Sequence, residues 1–363
     1  MTDELIEKRA RLLAWMVDRG LDAVALTRIA NFAWYTAGLE PVVMLSSERA
    51  EAALVVTPDR SWVVCNAIEF PRLRDEDRLG QQGFEFQVTP WYHGAPRLEA
   101  LTQGKRWAAD WPLPGALDLS GEIARLRFQL TAPEVERYRH VGAASGRALE
   151  KAARRVKRGM TEMEVAGMLA ALAMKEGITP TLLLVGADER IYRYRHPIPT
   201  AKTIDAYAML VLCGRRSGLV ASCTRLVHFG RLGEDLELRQ QTCARVDAVF
   251  NSSTRVGAPV AQVFDQAAQA YTDAGFPDEW QRHNQGGAAG YESRDYEATP
   301  TCDEIVLAEQ AFAWNPSITG VKSEDTMLVH PEGVEFLTVT GDWPSIHIHL
   351  ADMDWNRPAI LIR

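Results

Sequence analysis

The chain has 363 residues, 47% apolar and 24% charged, with a net charge of −8. That is too long for one small core and right for two domains of ordinary size, and scattered Lys and Arg under a net negative charge exclude a concentrated basic face for nucleic acid or an anionic membrane. Five cysteines (Cys65, Cys213, Cys223, Cys243, Cys302) without CxxC spacing indicate neither a disulfide framework nor a zinc ribbon.

The first residues alternate charge with apolar side chains, unlike a signal peptide, and no apolar run of membrane-spanning length follows, so a cytoplasmic protein is expected. Leu5, Ile6, Leu12, Leu13 and Met16 share one helical face over residues 3–19, and Gly20 is placed to stop the helix in the left-handed region. A strand is predicted over 21–26. The apolar runs Ala52 to Val56 and Trp62 to Cys65 flank turn chemistry at 57–61 and predict a β-hairpin. Trp111-Pro112-Leu113-Pro114-Gly115 breaks the pattern, and the division is set at 1–125 and 126–363.

The second part opens with the capping box Thr131-x-x-Glu134 and a helix reaching about residue 157; a second box, Thr161-x-x-Glu164, starts a helix ending at Gly177. A helix after Gly257-Ala258-Pro259 ends at Gly275. The pairs Gly159/Gly177 and Gly257/Gly275 have the same separation, which predicts an internal duplication with a ligand pocket at the seam of its halves.

Four polar stretches fall around that seam: 195–199, 217–225, 283–291, and Asn315-Pro316 with 320–326. In order and context they resemble the pita-bread family, which includes methionine aminopeptidase, aminopeptidase P, prolidase and creatinase. The segment 30–38 is similar to that family's N-terminal signature loop, and 322–326 with 335–338 to its closing hairpin. The resemblance implies an α+β protein: an N-terminal creatinase-type α/β domain followed by a C-terminal pita-bread domain with an internal pseudo-twofold duplication.

Metal-dependent members of that family hold two ions with five ligands. Those positions fall here on Val211 or Leu212, Ser222, Gly287, Asn315 and Glu324, leaving Glu324 as the only carboxylate. Two divalent ions about 3.5–4 Å apart need several anionic ligands against their mutual repulsion. No metal and no cofactor is therefore expected, and creatinase is the member of the family that works without metal. There a histidine serves as general acid and base, at the position that corresponds to His196.

The resemblance thus implies a metal-independent hydrolase acting on a C–N bond of a small polar, nitrogen-containing molecule. His196 would move the proton, and Glu324, Glu292 or Asp295 would position water. Arg225, with Arg193 or Arg195, would clamp a substrate carboxylate. Tyr194, His228, His283, Asn315, Ser222, Tyr291 and Arg294 complete the expected lining, while Cys223 reads as a buried small hydrophobe and His347 and His349 as surface residues. Glu324 is expected to face the pocket rather than to pair with Lys322. Family habit also implies a homodimer, with Arg28, Phe32, Trp34 or Tyr35 at the other chain's site. Three alternatives stay open: an Xaa-Pro aminopeptidase-type metallopeptidase with unusual ligands from His228, His283 and Glu324, a biosynthetic lyase or cyclase, and a catalytically silent peptide-binding member.

Overall fold

A computed structural model describes residues 2–93, 97–350 and 353–363. It divides into two compact units, Met1–Glu134 with Ser217–Leu219, and Val135–Arg216 with Val220–Arg363.

In the first unit helix α1 (Asp3–Arg19) is capped by Thr2 Oγ1 and ends at Gly20, with φ of 62°. Strands β1 (Ala23–Arg28), β2 (Arg49–Val56), β3 (Ser61–Asn66), β4 (Glu85–Thr89), β5 (Trp107–Ala109) and β6 (Leu117–Asp118) form one mixed sheet in the order β4-β3-β2-β1-β5-β6. The predicted hairpin is the antiparallel β2–β3 pair. The unit runs on past residue 125 because α1 holds the following segment: Arg11 Nη1 donates to the carbonyls of Leu126 and Gln129, each at 2.8 Å, and Lys8 Nζ lies 2.7 Å from Glu134.

Helix α2 (Ile29–Tyr35) corresponds to the signature loop. Its Phe32 and Trp34 are fully buried and Tyr35 is 3% exposed, all within the first unit. These three cannot reach a partner chain, which corrects that expectation. Their apolar rings close the unit's own core instead.

The second unit carries helices α3 (Ala132–Arg155), α4 (Glu162–Lys175), α5 (Glu189–Arg193), α6 (Glu234–Ser253) and α7 (Val260–Asp273). One sheet has the order β19-β9-β8-β7, built from β7 (Thr179–Ala187), β8 (Tyr207–Arg216), β9 (Leu219–His228) and β19 (Leu361–Ile362), the last following an antiparallel hairpin of β17 (Ser345–Leu350) and β18 (Met353–Pro358). The other, β11-β10-β12-β15-β16, comprises β10 (Gly286–Ala289), β11 (Tyr296–Glu297), β12 (Gln310–Trp314), β15 (Asp325–His330) and β16 (Gly333–Phe336). Phe250, Phe264, Phe312, Trp314 and Met327 form much of the core between α6, α7 and the second sheet.

The duplication is visible bond by bond. Gly159 N–H donates to Ile204 O and Gly257 N–H to Val306 O, both at 2.8 Å; Ile204 N–H returns to Met160 O, and Val306 N–H to Ala258 O. All four glycines lie at φ between 74° and 85°. A left-handed turn, a helix and a return pairing are thus built twice by the same backbone logic.

Candidate functional site

His196 sits on the segment that leaves β7, and a buried carboxylate fixes both ends of that segment. Glu162 Oε1 accepts from Ala187 N–H and Arg190 Nε, each at 2.8 Å, while Oε2 accepts from Thr200 N–H at 2.9 Å and Thr200 Oγ1 at 2.6 Å. Between these anchors Pro197 lies over Gly186, where a Cβ would come within 2.7 Å of the proline ring. Glycine is what lets the segment lie this close to β7.

The imidazole of His196 is met by a second histidine. His196 Nε2 and His283 Nε2 are 3.1 Å apart, and His283 Nδ1 is 3.0 Å from Ser317 Oγ. Arg195 donates to Ser317 Oγ at 3.1 Å and pairs with Glu279. The result is a continuous chain of polar contacts, Glu279–Arg195–Ser317–His283–His196. Burial, then the Lys322 charge and His196 itself, bring the His283 pKa down to about 2, so this ring stays neutral. His196, at the end of the chain, is lowered by burial and by the Lys322 and Arg294 charges, partly opposed by Glu324.

Two antiparallel ladders set the rest of the site. Trp314 pairs with Asp325 and Ser317 with Lys322 (β13, Ser317–Ile318, with β14, Val321–Lys322), and Ser323 N–H bonds Pro316 O at 3.0 Å in between. Continuing that register sets Asn315 opposite Glu324. With the alternation of a strand, Asn315, Ser317, Lys322 and Glu324 share one face.

On that face Glu324 is 2% exposed. Oε2 accepts from Thr224 Oγ1 at 2.6 Å and lies 3.2 Å from Lys322 Nζ; Oε1 accepts from Arg294 Nη2 at 3.1 Å. Burial alone would raise this carboxyl, but Lys322, Arg294 and the Thr224 hydroxyl more than reverse it and hold it at about 2. Facing the site and pairing with Lys322 are therefore not alternatives, because Glu324 does both. A carboxylate this acidic and this fully engaged is a poor base for water. Its place is to hold two cations.

The donor set does not fit a metal pair. Ser222 is buried with its Oγ 3.1 Å from Cys213 Sγ, so the residue facing it across the hairpin is Cys213, while Val211 packs into the core. At Gly287 a Cβ would fall 2.2 Å from Tyr296 O and 2.9 Å from Ala298 N, so a side chain cannot stand there without moving β11. Asn315 contributes a neutral amide, and the one carboxylate is already neutralised by Lys322 and Arg294. Among the described residues no three His, Cys, Asp or Glu side chains converge as metal ligands.

Several expected site residues have other work. Arg225 is 1% exposed and bonds Glu150 Oε1 at 3.2 Å and Asp325 Oδ1 at 3.0 Å, so it braces the interior and clamps no substrate. Arg195 is committed to Glu279, Ser317 and Thr319. Arg193 and Tyr194 are exposed on and after α5, with the Tyr194 ring under the Arg190 guanidinium at 5.1 Å. His228 lies at the far end of β9, its Nδ1 2.9 Å from Gly230 O; at roughly 3.3 Å per residue the strand carries it about 20 Å from Ser222.

Tyr291 is buried, and Glu292 and Asp295 are half-buried, but among the described residues no hydrogen bond joins either acid to His196. Asp295 instead lies within electrostatic reach of the Tyr138 phenol. The side chain of the 291–297 segment that reaches Glu324 is Arg294. Cys223 is buried with its thiol pushed well above 9, inert as a nucleophile, and His347 and His349 are exposed on one face of their strand.

A cavity of ≈ 710 Å³ in the first unit is lined by Arg49, Leu98, Trp107 and Leu113 but has no histidine or cysteine. A cleft of ≈ 380 Å³ in the second unit borders His283, Asn284 and Glu297 and so touches the relay. The chemistry points to the second. Glu162, Gly186 and Ser317 belong to the site's framework and escape a sequence reading, since an acid beside a helix N-cap looks like an ordinary first-turn residue.

The two duplicated halves, the capping chemistry and the two-unit order define a pita-bread protein. The profile of metallopeptidase family M24 matches residues 136–331, more than half of the chain, and the chain belongs to that family. An uncharacterized peptidase of Staphylococcus haemolyticus is 24% identical over 61% of this chain and 65% of its own length, so the match spans less than two thirds of that relative. Among solved structures, an Xaa-Pro dipeptidase from Bacillus anthracis superposes with a TM-score of 0.80 at 16% identity, covering 99% of this chain and 100% of that one. The N-terminal domain of FACT complex subunit SPT16 from Cicer arietinum does so at 0.68 and 12% identity, covering 93% and 97%.

Proposed function

We propose that this chain hydrolyses a C–N bond in a small, polar, dipeptide-like or otherwise nitrogen-containing molecule, with His196 moving the proton and no metal pair required. The observation that carries this reading is Glu324, ionised and held between Lys322 and Arg294 beside His196. In this reading the positive charge that metal-dependent relatives draw from ions comes from two side chains. Hydrolysis of a dipeptide-like C–N bond is the class of chemistry that membership of family M24 carries.

His196 rests neutral, with Nε2 against His283, which leaves Nδ1 for the reacting groups. It takes a proton from the attacking water as the C–O bond forms. It then returns that proton to the leaving nitrogen as the C–N bond breaks. Such transfer is worth about 10² to 10⁴ in rate. A lyase or cyclase would use the same proton transfers without water.

Turnover of guanidino, ureido, amidine and Xaa-Pro compounds after exhaustive chelation tests the reading: activity persists with EDTA and is lost in His196→Ala. Activity that disappears with EDTA and returns with Mn²⁺ overturns it, in favour of a metallopeptidase with rearranged ligands. Ligand binding without turnover of any such compound favours the binding module, a reading suggested by the likeness to a FACT subunit domain. The proposal places the enzyme in the cytoplasm, in keeping with five unpaired cysteines. It also includes a homodimer, for which exposed Val43, Met44 and Leu45 offer a surface that the buried aromatics of α2 do not. A monomeric mass in sedimentation at micromolar concentration removes the dimer.

A further inference from the structure

The ion cluster around Glu324 does not close on itself. Lys322 and Arg294 bring two positive charges to one carboxylate, which leaves one positive charge over in a place where Lys322 is 6% and Glu324 2% exposed. Among the described residues the Lys322 ammonium, with three donors, ion-pairs with Glu324 alone. Arg294 Nε and Asn315 Oδ1 are buried without a hydrogen-bond partner, and Asn315 as a whole is 6% exposed. Buried polar atoms normally find partners, and buried charge is normally compensated. The unmatched groups are two donors of positive charge and one neutral acceptor, all on or beside the ladder face that carries Ser317 and its bond to His283.

We propose that Lys322, Arg294 and Asn315 form a binding site for a monoanionic carboxylate with an adjacent N–H, the arrangement found in an N-acylated amino acid. The carboxylate oxygens take the spare donors of Lys322 and Arg294, and the N–H donates to Asn315 Oδ1. A single negative charge neutralises the cluster. A dianion such as inorganic phosphate would overshoot it and meet the Glu324 carboxylate at short range. This inference deepens the hydrolase reading and rests on it only for the word substrate, because the anion site is a property of the resting protein. It also moves the carboxylate clamp from Arg225, which the interior has taken, to Arg294 and Asn315, which sequence places in the lining, and to Lys322.

The test is direct binding, by titration calorimetry on the full chain, of three probes: N-acetylglycine, N-acetylsarcosine, which lacks the N–H, and inorganic phosphate. N-acetylglycine is expected to bind most tightly, about tenfold over N-acetylsarcosine. Asn315→Leu should erase that tenfold difference while both carboxylates still bind. Arg294→Met, at the more accessible edge of the cluster, should weaken N-acetylglycine at least about tenfold. Glu324→Gln adds one positive charge to the balance and should reverse the order in favour of phosphate. Circular dichroism and a melting curve establish that each variant is folded, and Arg294→Met serves where a change at Lys322 does not fold. Phosphate preferred by the parent protein, or N-acetylglycine affinity unmoved in folded Arg294→Met, overturns the site. Binding that persists in His196→Ala supports it whatever the turnover assays give, whereas turnover without this binding overturns the site and leaves the hydrolase standing.

Discussion

Glu324 and Asp325 are neighbours in the chain and face opposite ways, and their surroundings are built on opposite terms. Asp325 Oδ1 meets Arg225 Nη2 at 3.0 Å and Thr338 Oγ1 at 2.7 Å, and Oδ2 meets Arg357 Nη2 at 2.9 Å; Arg357 Nε in turn bonds Asp247 at 2.6 Å. That cluster has acids in excess, gathers residues distant in sequence and locks them together. The Glu324 cluster, one residue away, has cations in excess. A strand's alternation thus separates an acid-rich interior brace from the cation-rich cluster of the candidate site.

The largest effect belongs to the residue at the open end of the candidate site. His196→Ala should lower kcat by about 10² to 10⁴ and leave the urea midpoint nearly unchanged, because the residue ends the chain of contacts and its hydrogen bond is to His283. Arg225→Ala should do the reverse. Removing one member of a buried network leaves Glu150 without its cation and Asp325 with Arg357 alone, and a loss of about 3–5 kcal/mol in urea unfolding is expected. A stable Arg225→Ala protein with impaired substrate binding would place Arg225 in the binding site and not in the interior brace.

Acid titration sharpens the contrast. The Glu324 carboxyl is held at about 2 in the folded chain, below its ordinary 4.5. A lowered folded pKa gives stability that is complete above the unfolded value and is lost as pH falls from there toward about 2. Urea midpoints measured across that window should fall, and Glu324→Gln should flatten the fall. The smallest effect concerns His196, whose pKa lies below the ordinary 6.5. The acid limb of kcat/KM should therefore lie below that value, and Lys322→Met, by removing a nearby cation, should move the limb upward.

The framework was legible because local chemistry writes it: Gly20, Gly177 and Gly275 end helices where left-handed backbone is needed, and Thr161 with Glu164 makes the capping box that its spacing predicts. His196 and Glu324 stand out through their order along the chain, and the fold sets both near Lys322. What sequence did not disclose is which partner each charge chooses. Arg225 and Arg294 are equally polar on paper, and only the fold buries the first between Glu150 and Asp325 and brings the second onto Glu324. Trp34 and Tyr35 read as a contact loop, yet a short helix turns them into core. Glu162 gave no signal at all, because its four bonds join segments far apart in the chain.

Gly287 has a consequence for the routes open to this chain. A histidine there would drive its first carbon into the peptide of Tyr296 and Ala298, so a single substitution cannot place an imidazole at this position without moving β11. The neighbouring strand would have to shift first, a step with no use of its own while Ser222 and Asn315 remain uncharged. The backbone at residue 287 therefore ties the identity of that position to the placement of the neighbouring strand.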